Sequence, residues 1–114
     1  MTMFDRLYHN ALGDEELLRK NDKLGDVFTT AREVDFAFET GDAQRADDFA
    51  EYVNGKNFGT AAVTKLEDGR FRVLVLITMP ITQHVIGCVS GFMVCLSRLF
   101  QIDYLGWGSV VQKS

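Results

Sequence analysis

Two cysteines and two histidines are the side chains of this sequence best suited to nucleophilic or metal chemistry. Cys88 and Cys95 lie on one predicted helix, about 10 Å apart along its axis, which is too far for an unstrained disulfide. His84 precedes Cys88 by one turn and could serve as a base, but no cationic residue beside it would favour the reactive thiolate. We therefore expect Cys88 and Cys95 to be small structural side chains at the edge of the core, in a protein of a reducing compartment. A thiol enzyme is the remaining alternative, and it requires a rapidly alkylated cysteine.

The other motifs of catalysis are missing from the sequence. His9 and His84 lack the spacing of a metal motif, and there is no P-loop, no dinucleotide glycine fingerprint and no Ser-His-Asp signature. An enzyme assignment would rest on fold analogy alone. We therefore expect no catalytic residues, no metal and no cofactor.

Composition predicts a compact globular protein of one domain. The chain has 114 residues, of which 46% are hydrophobic and 25% charged. Its formal net charge of -4 disfavours direct binding to nucleic acid, which requires clustered Lys and Arg. The chain opens without the charged and apolar regions of a secretion signal, so we expect a cytoplasmic protein.

A long uncharged run, from Val73 to Ser97, raises the question of a membrane span. Pro80 divides it into halves of different period. Residues 71–78 alternate between two faces, as in a strand. From Val85 onward, apolar residues recur at steps of three and four, as in an amphipathic helix with Thr82 as N-cap, and the opposite side includes Ser90, Val94 and Ser97. We therefore predict a buried strand followed by a core helix, and no membrane partner.

The remaining segments predict an α+β domain. Residues 1–30 have helical spacing and are expected to form an arm of two helices, broken at Gly13, with Asp14 capping the second and Gly25 ending it. From Val34 the patterns indicate strand, helix, strand, strand, helix and strand, and Asp68-Gly69 marks a hairpin. This order is that of a ferredoxin-like two-layer sandwich (βαββαβ, antiparallel sheet), here spanning residues 31–114, within a single domain overall.

Two surfaces of this fold are candidates for contact with a partner. Asp47, Asp48 and Glu51 face outward from the first helix of the sandwich, either as solvated surface or as a docking site for a basic partner. Leu74 and Leu76 are expected on the sheet face opposite the helices. We expect the N-terminal arm to cover that face in preference to a homodimer contact.

The closing sequence IDYLGWG, residues 102–108, carries a resemblance to a known family. It resembles the bacterial ribonuclease E inhibitor family RraB (regulator of ribonuclease activity B), whose members end their domain with a sequence like YDGWG. Tyr104, Gly106, Trp107 and Gly108 fit the motif, whereas Leu105 stands where the family commonly has Asp. EELLRKNDKLGD, REVDFAFE, AQRADDFAEYVNGKNFG and KLEDGRF are also similar to the family's successive segments, over residues 14–112.

The resemblance implies a bacterial protein that binds ribonuclease E, or another RNA-processing protein, and lowers its RNA-cleaving activity without a cofactor or catalysis of its own. Trp107 and Tyr104 would then be contact candidates, since Trp and Tyr are favoured interface anchors. For both residues the alternative is packing onto the core. A homo-oligomeric ligand- or protein-binding module, joined through Leu74 and Leu76, is the alternative function.

Overall fold

Three helices and a four-stranded sheet make up the protein in a computed structural model that describes residues 1–113. The elements are α1 (Met3–Lys23), β1 (Arg32–Thr40), α2 (Ala43–Gly55), β2 (Thr60–Lys65), β3 (Phe71–Met79), α3 (Gln83–Phe100) and β4 (Asp103–Ser109).

The sheet has the strand order β2-β3-β1-β4, and all neighbouring strands are antiparallel. This confirms the predicted two-layer α+β sandwich with a βαββαβ order. Gly69 has a φ of +87°, which the turn between β2 and β3 requires and which glycine adopts at little cost. The Asp68-Gly69 signal for a hairpin is therefore confirmed.

Alternation along the central strand β1 creates the core. Val34, Phe36 and Phe38 are fully buried on one face, where the Phe38 ring lies 4.5 Å from that of Phe49 in α2. The intervening residues lie on the opposite face and are charged or small. This period of two, visible in the sequence, decides which face the helices cover.

The uncharged run is divided as predicted, between β3 and α3. By length and composition α3 is apolar enough to cross a membrane, with a mean hydropathy of 1.3. In the fold it is the central helix of the domain and contributes Ile86, Met93 and Leu96 to the core. Thr82 occupies the N-cap position, although its side chain makes no capping hydrogen bond within the described chain. The prediction of a core helix following a strand is confirmed.

The N-terminal arm differs from the prediction, because α1 is one continuous helix of 21 residues. Gly13 does not break it, and Asp14 is a buried residue in its middle and not an N-cap. Thr2 is the N-cap and forms a capping box with Asp5. A single glycine costs a helix about 1 kcal/mol, and the packing of α1 along α3 offsets a cost of that size. Gly25, at a φ of +81°, follows the helix end as predicted.

The position of α1 also corrects the prediction for the open sheet face. The helix packs against α3, on the same side of the sheet as α2, and does not cover Leu74 and Leu76. Consequently the side of α3 opposite its predicted apolar stripe is buried at Ser90, Val94 and Ser97. Leu18 is the buried apolar side chain of α1, whereas Phe4, Tyr8 and Leu12 remain 74%, 55% and 46% exposed. The sheet face opposite the helices therefore remains open, and part of the arm's apolar surface is exposed as well.

A buried ion pair ties the loop after α1 to the sheet. Arg32 donates from both terminal nitrogens to Asp26, at 3.0 and 2.8 Å, and the two side chains are almost inaccessible to solvent. Asp26 also accepts hydrogen bonds from Asn21 and from the backbone N–H of Gln112. One carboxylate therefore joins the end of α1, the start of β1 and the segment after β4. Hydrogen bonds from Arg32 lower the pKa of Asp26 below its ordinary value, against the opposing effect of burial.

Candidate functional site at the junction of α1 and β4

A bulge in β4 explains the spacing of the YLGWG sequence. Residues three apart in a regular strand point to opposite faces. Here Tyr104 pairs with Phe38 and Trp107 with Phe36, because the register shifts by one residue at Leu105. The extra residue brings both aromatic rings to the helix-facing side, and Leu105 is left 54% exposed.

Glycines flank Trp107 for two different reasons. Gly106 has a φ of +114°, a backbone conformation that side chains other than glycine's rarely adopt. At Gly108 a Cβ would lie 3.3 Å from Oδ1 of Asp35 on the neighbouring strand, which is tighter than nine in ten real Cβ contacts. The two glycines thus permit the bulge and the close approach of β4 to β1.

Trp107 is a core residue whose polar edge has a buried partner. The side chain is 6% exposed, and its Nε1 donates a hydrogen bond of 2.9 Å to Oδ1 of Asp14 in α1. Of the two sequence-based interpretations of Trp107, the structure corresponds to packing onto the core. The partner is a carboxylate 93 residues away in the chain.

Further hydrogen bonds connect this pair to α3. Ser90 donates from Oγ to Asp14 at 3.1 Å and lies 3.0 Å from the Tyr104 hydroxyl. Asn10 donates to Ser90 at 2.9 Å and to the second oxygen of Asp14 at 3.4 Å. We call Asn10, Asp14, Ser90, Tyr104 and Trp107 the Asp14 cluster. It fixes α1, α3 and β4 relative to one another.

Burial controls the protonation of the cluster. Desolvation raises the pKa of Asp14 above its ordinary value, and hydrogen bonds from Trp107 and Ser90 offset part of that rise. Desolvation likewise raises the pKa of Tyr104, and the Asp14 carboxylate adds to the effect, so the phenol remains protonated and can donate to Ser90. Unlike Asp26, Asp14 has no cationic partner within residues 1–113.

The hydrogen bonds of the Asp14 cluster give it a positioning role. The cleft lined by Asp14 and Trp107 has a volume of about 230 Å³, smaller than typical small-molecule sites of about 300–1,000 Å³. In the part of the chain that the structure describes, no group of three His, Cys, Asp or Glu side chains could hold a metal ion. Cys88 is exposed and Cys95 half-buried, and both are free thiols.

The other predicted contact residues lie on separate surfaces. Asp47, Asp48 and Glu51 are exposed on the outward side of α2 and form no ion pair among the described residues. Leu74 and Leu76 are half-buried on the open sheet face, opposite Ala37 and Asp35 of β1. Neither group adjoins the Asp14 cluster, and their role as partner contacts stays a prediction.

Sequence patterns did not identify Asn10, Asp14 or Ser90 as members of the site. One local signal was available for Asp14, because Asn10, Asp14 and the buried Leu18 follow one another at steps of four on a single helix face. A polar pair in line with a buried leucine indicates a hydrogen-bonded group inside the protein. No comparable signal marks Ser90, whose burial depends on where α1 packs.

Comparison with known proteins finds a family match over most of the chain. A family model described as "Regulator of ribonuclease activity B" matches residues 13–109. The match begins beside Asp14 and ends with β4, so it includes the whole sheet and the second half of α1. No curated protein matches the chain.

Proposed function

The chain belongs to the family of regulators of ribonuclease activity B, and from this we propose that it binds ribonuclease E and inhibits its endonuclease activity by protein contact. The family is a regulatory one, and regulation of ribonuclease activity is accordingly the role of this chain. The proposal adds the identity of the enzyme, the inhibitory direction, the absence of catalysis by the chain itself and a cytoplasmic setting. The observation that carries it is the family match over residues 13–109.

The charges on α2 support a specific contact surface for this partner. Asp47, Asp48 and Glu51 lie on the outward side of the helix, opposite its buried residues Phe49 and Val53. Since none has an ion-pair partner within residues 1–113, their charges are available to basic segments of another protein. We call these three residues the α2 acidic face.

Trp107 and Tyr104 enter the proposal differently from the α2 acidic face. Because Trp107 is bonded to Asp14 and Tyr104 lies within hydrogen-bond distance of Ser90, we propose that both support binding by holding β4 in place against α1 and α3. The exposed Leu105 then offers the direct contact at this edge. The division of the chain into an arm of residues 1–30 and a sandwich of residues 31–114 stays a prediction.

Neutralising the α2 acidic face is expected to weaken binding to ribonuclease E about tenfold. Exposed ion pairs contribute about 0.2–1 kcal/mol each, and three of them together reach the roughly 1.4 kcal/mol that corresponds to a factor of ten. The triple variant Asp47→Asn, Asp48→Asn, Glu51→Gln keeps side-chain size and removes only charge. Calorimetric titration of purified ribonuclease E, with an RNA-cleavage assay beside it, gives the affinity and the inhibition.

The control for this experiment removes the same charge from another helix. Glu15→Gln, Glu16→Gln, Asp22→Asn alters α1, which packs on α3 and not on α2, and should leave binding unchanged. Equal weakening in both triple variants would show that only net charge matters and would remove the α2 acidic face from the proposal. If the wild-type protein neither binds nor inhibits ribonuclease E, the proposed function itself is wrong.

The open sheet face supports a second candidate function, a homo-oligomeric binding module. Leu74 lies between Ala37 and Ala62 on the neighbouring strands, Leu76 lies between Asp35 and Thr60, and α1 does not cover either leucine. For this candidate, light scattering of the wild type should give the mass of a dimer at micromolar concentration, and Leu74→Lys should give a monomer. A monomeric wild type would eliminate it and leave the face free for a different partner.

A further inference from the structure

Two arginines of this acidic protein are left without an acidic partner. The sequence contains seven arginines, and five of them, Arg19, Arg32, Arg45, Arg70 and Arg72, form ion pairs with Asp or Glu. Within residues 1–113, Arg6 and Arg98 form none. The five lysines form no ion pair within these residues either, so the informative feature of the two arginines is their shared location and not the lack of a partner.

Both unpaired arginines line the same cleft. It has a volume of about 340 Å³ and lies between the first half of α1, which contributes Arg6 and His9, and the end of α3, which contributes Arg98. Asp103 is the acidic side chain of the lining, and it accepts a hydrogen bond from Arg70 at 3.2 Å. The cleft therefore has two arginines among its lining residues and little compensating charge.

The helix dipoles account for only one of these positions. Arg98 lies in the last turn of α3, where a cation interacts favourably with the negative end of the helix dipole. Arg6 is the fourth residue of α1 and lies near the positive end, where a cation is unfavourable. A bound anion would offset the unfavourable charge at Arg6.

We infer that this cleft binds the phosphate monoester group of a small ligand. Two guanidinium groups carry two fixed positive charges, and a phosphate monoester carries about -1.5 to -2 at pH 7, whereas a carboxylate supplies only one negative charge. The planar guanidinium also matches phosphate oxygens with paired hydrogen bonds. His9 also lines the cleft.

The rest of the cleft suits the non-phosphate part of such a ligand. Val94, Ile102 and Tyr104 contribute an apolar wall, and the volume falls within the range of about 300–1,000 Å³ typical of small-molecule sites. The site is separate from the α2 acidic face and does not depend on the proposed binding of ribonuclease E.

Calorimetric titration with inorganic phosphate, adenosine 5′-monophosphate and adenosine tests the inference. We expect inorganic phosphate to bind with a dissociation constant of about 1 mM, and the nucleotide to bind tighter by about tenfold because it also contacts the apolar wall. If the two bind equally, the site recognises free phosphate and the phosphate inference still stands. Adenosine lacks the phosphate and should not bind. Adenosine binding as tight as that of the nucleotide, or no binding of either phosphate compound, would overturn the inference.

A matched pair of double variants separates the cleft from general charge effects. Arg6→Ala, Arg98→Ala should weaken phosphate binding by about tenfold or more, because it removes both fixed charges of the cleft. Arg19→Ala, Arg45→Ala removes two arginines that are paired and lie outside the cleft, and should bind phosphate like the wild type. Circular dichroism would establish that both variants are folded. Equal losses in the two variants would contradict a defined site.

Discussion

Replacing Arg32 by methionine is expected to lower the free energy of unfolding by about 3–5 kcal/mol, because it leaves the Asp26 carboxylate buried without its cation. That loss is a large part of the total stability of about 5–15 kcal/mol typical of a domain. It also frees the backbone carbonyls of Val27 and Thr30, which accept hydrogen bonds from Arg32. Urea unfolding of the wild type and the variant measures the difference.

Two further variants identify the cause of the loss at Arg32. Asp26→Asn made in the Arg32→Met background should recover part of the stability, because it removes the uncompensated buried charge. Arg19→Met, which disrupts an exposed pair with Glu15, should cost no more than about 1 kcal/mol. A loss below about 1 kcal/mol for Arg32→Met itself would mean that the buried pair does not hold the loop after α1 in place.

The pH dependence of this difference has a definite sign. In the wild type the pKa of Asp26 is lowered on folding, so the pair stabilises the protein above the unfolded pKa and this contribution is lost as pH falls through the folded pKa. In Arg32→Met the carboxyl lacks its cation, and burial favours the protonated form. The gap in unfolding free energy between the two proteins should therefore narrow as pH is lowered from neutral.

Replacing Trp107 by alanine is the second change with a large expected effect, a loss of about 3–5 kcal/mol in the free energy of unfolding. The indole is buried and fills the space between β4 and α1, and the alanine variant leaves a cavity there. It also removes the hydrogen bond to Asp14. Thermal and urea unfolding give the size of the loss, with Leu105→Ala as an exposed neighbour expected to stay within about 0.5 kcal/mol.

Trp107→Phe separates the indole N–H from the volume of the ring. It retains most of the packing and leaves one hydrogen bond of Asp14 unmade, so a loss of about 1–3 kcal/mol is expected. The phenylalanine variant should remain folded, which makes it the better choice for testing ribonuclease binding. If Trp107→Phe is as stable as the wild type, the bond to Asp14 contributes little and α1 is held by apolar packing alone.

Asp14→Asn tests the charge of the same carboxylate. Because the pKa of Asp14 is raised on folding, its stabilising contribution is complete below the unfolded pKa and is lost as pH rises through the folded pKa. The asparagine keeps an oxygen acceptor for Trp107 and does not titrate. The stability of Asp14→Asn relative to the wild type should therefore improve as pH rises, and a constant difference across pH would argue against a raised pKa.

Local patterns in the sequence determined the elements of the sandwich. Alternation in β1 and β3, helical spacing in α2 and α3 and the Asp68-Gly69 turn all depend on residues within about four positions of one another, so they can be identified without a fold. The order of the elements then restricted the topology to a split βαβ arrangement. The closing motif and the segments similar to the family pointed to the regulator family, which the match over residues 13–109 established.

Tertiary structure alone decided how distant residues meet. Asp14 contacts Trp107 across 93 positions, and this contact depends on the continuation of α1 through Gly13 and on its packing against α3. The free energy gained by packing α1 against α3 outweighs the local cost of Gly13 in the helix. A pattern of neighbouring residues cannot predict that gain. The bulge at Leu105, the buried pair of Asp26 with Arg32 and the shared cleft of Arg6 and Arg98 have the same origin. Each depends on the relative positions of whole elements, which are fixed by the packed core and not by the spacing of residues along the chain.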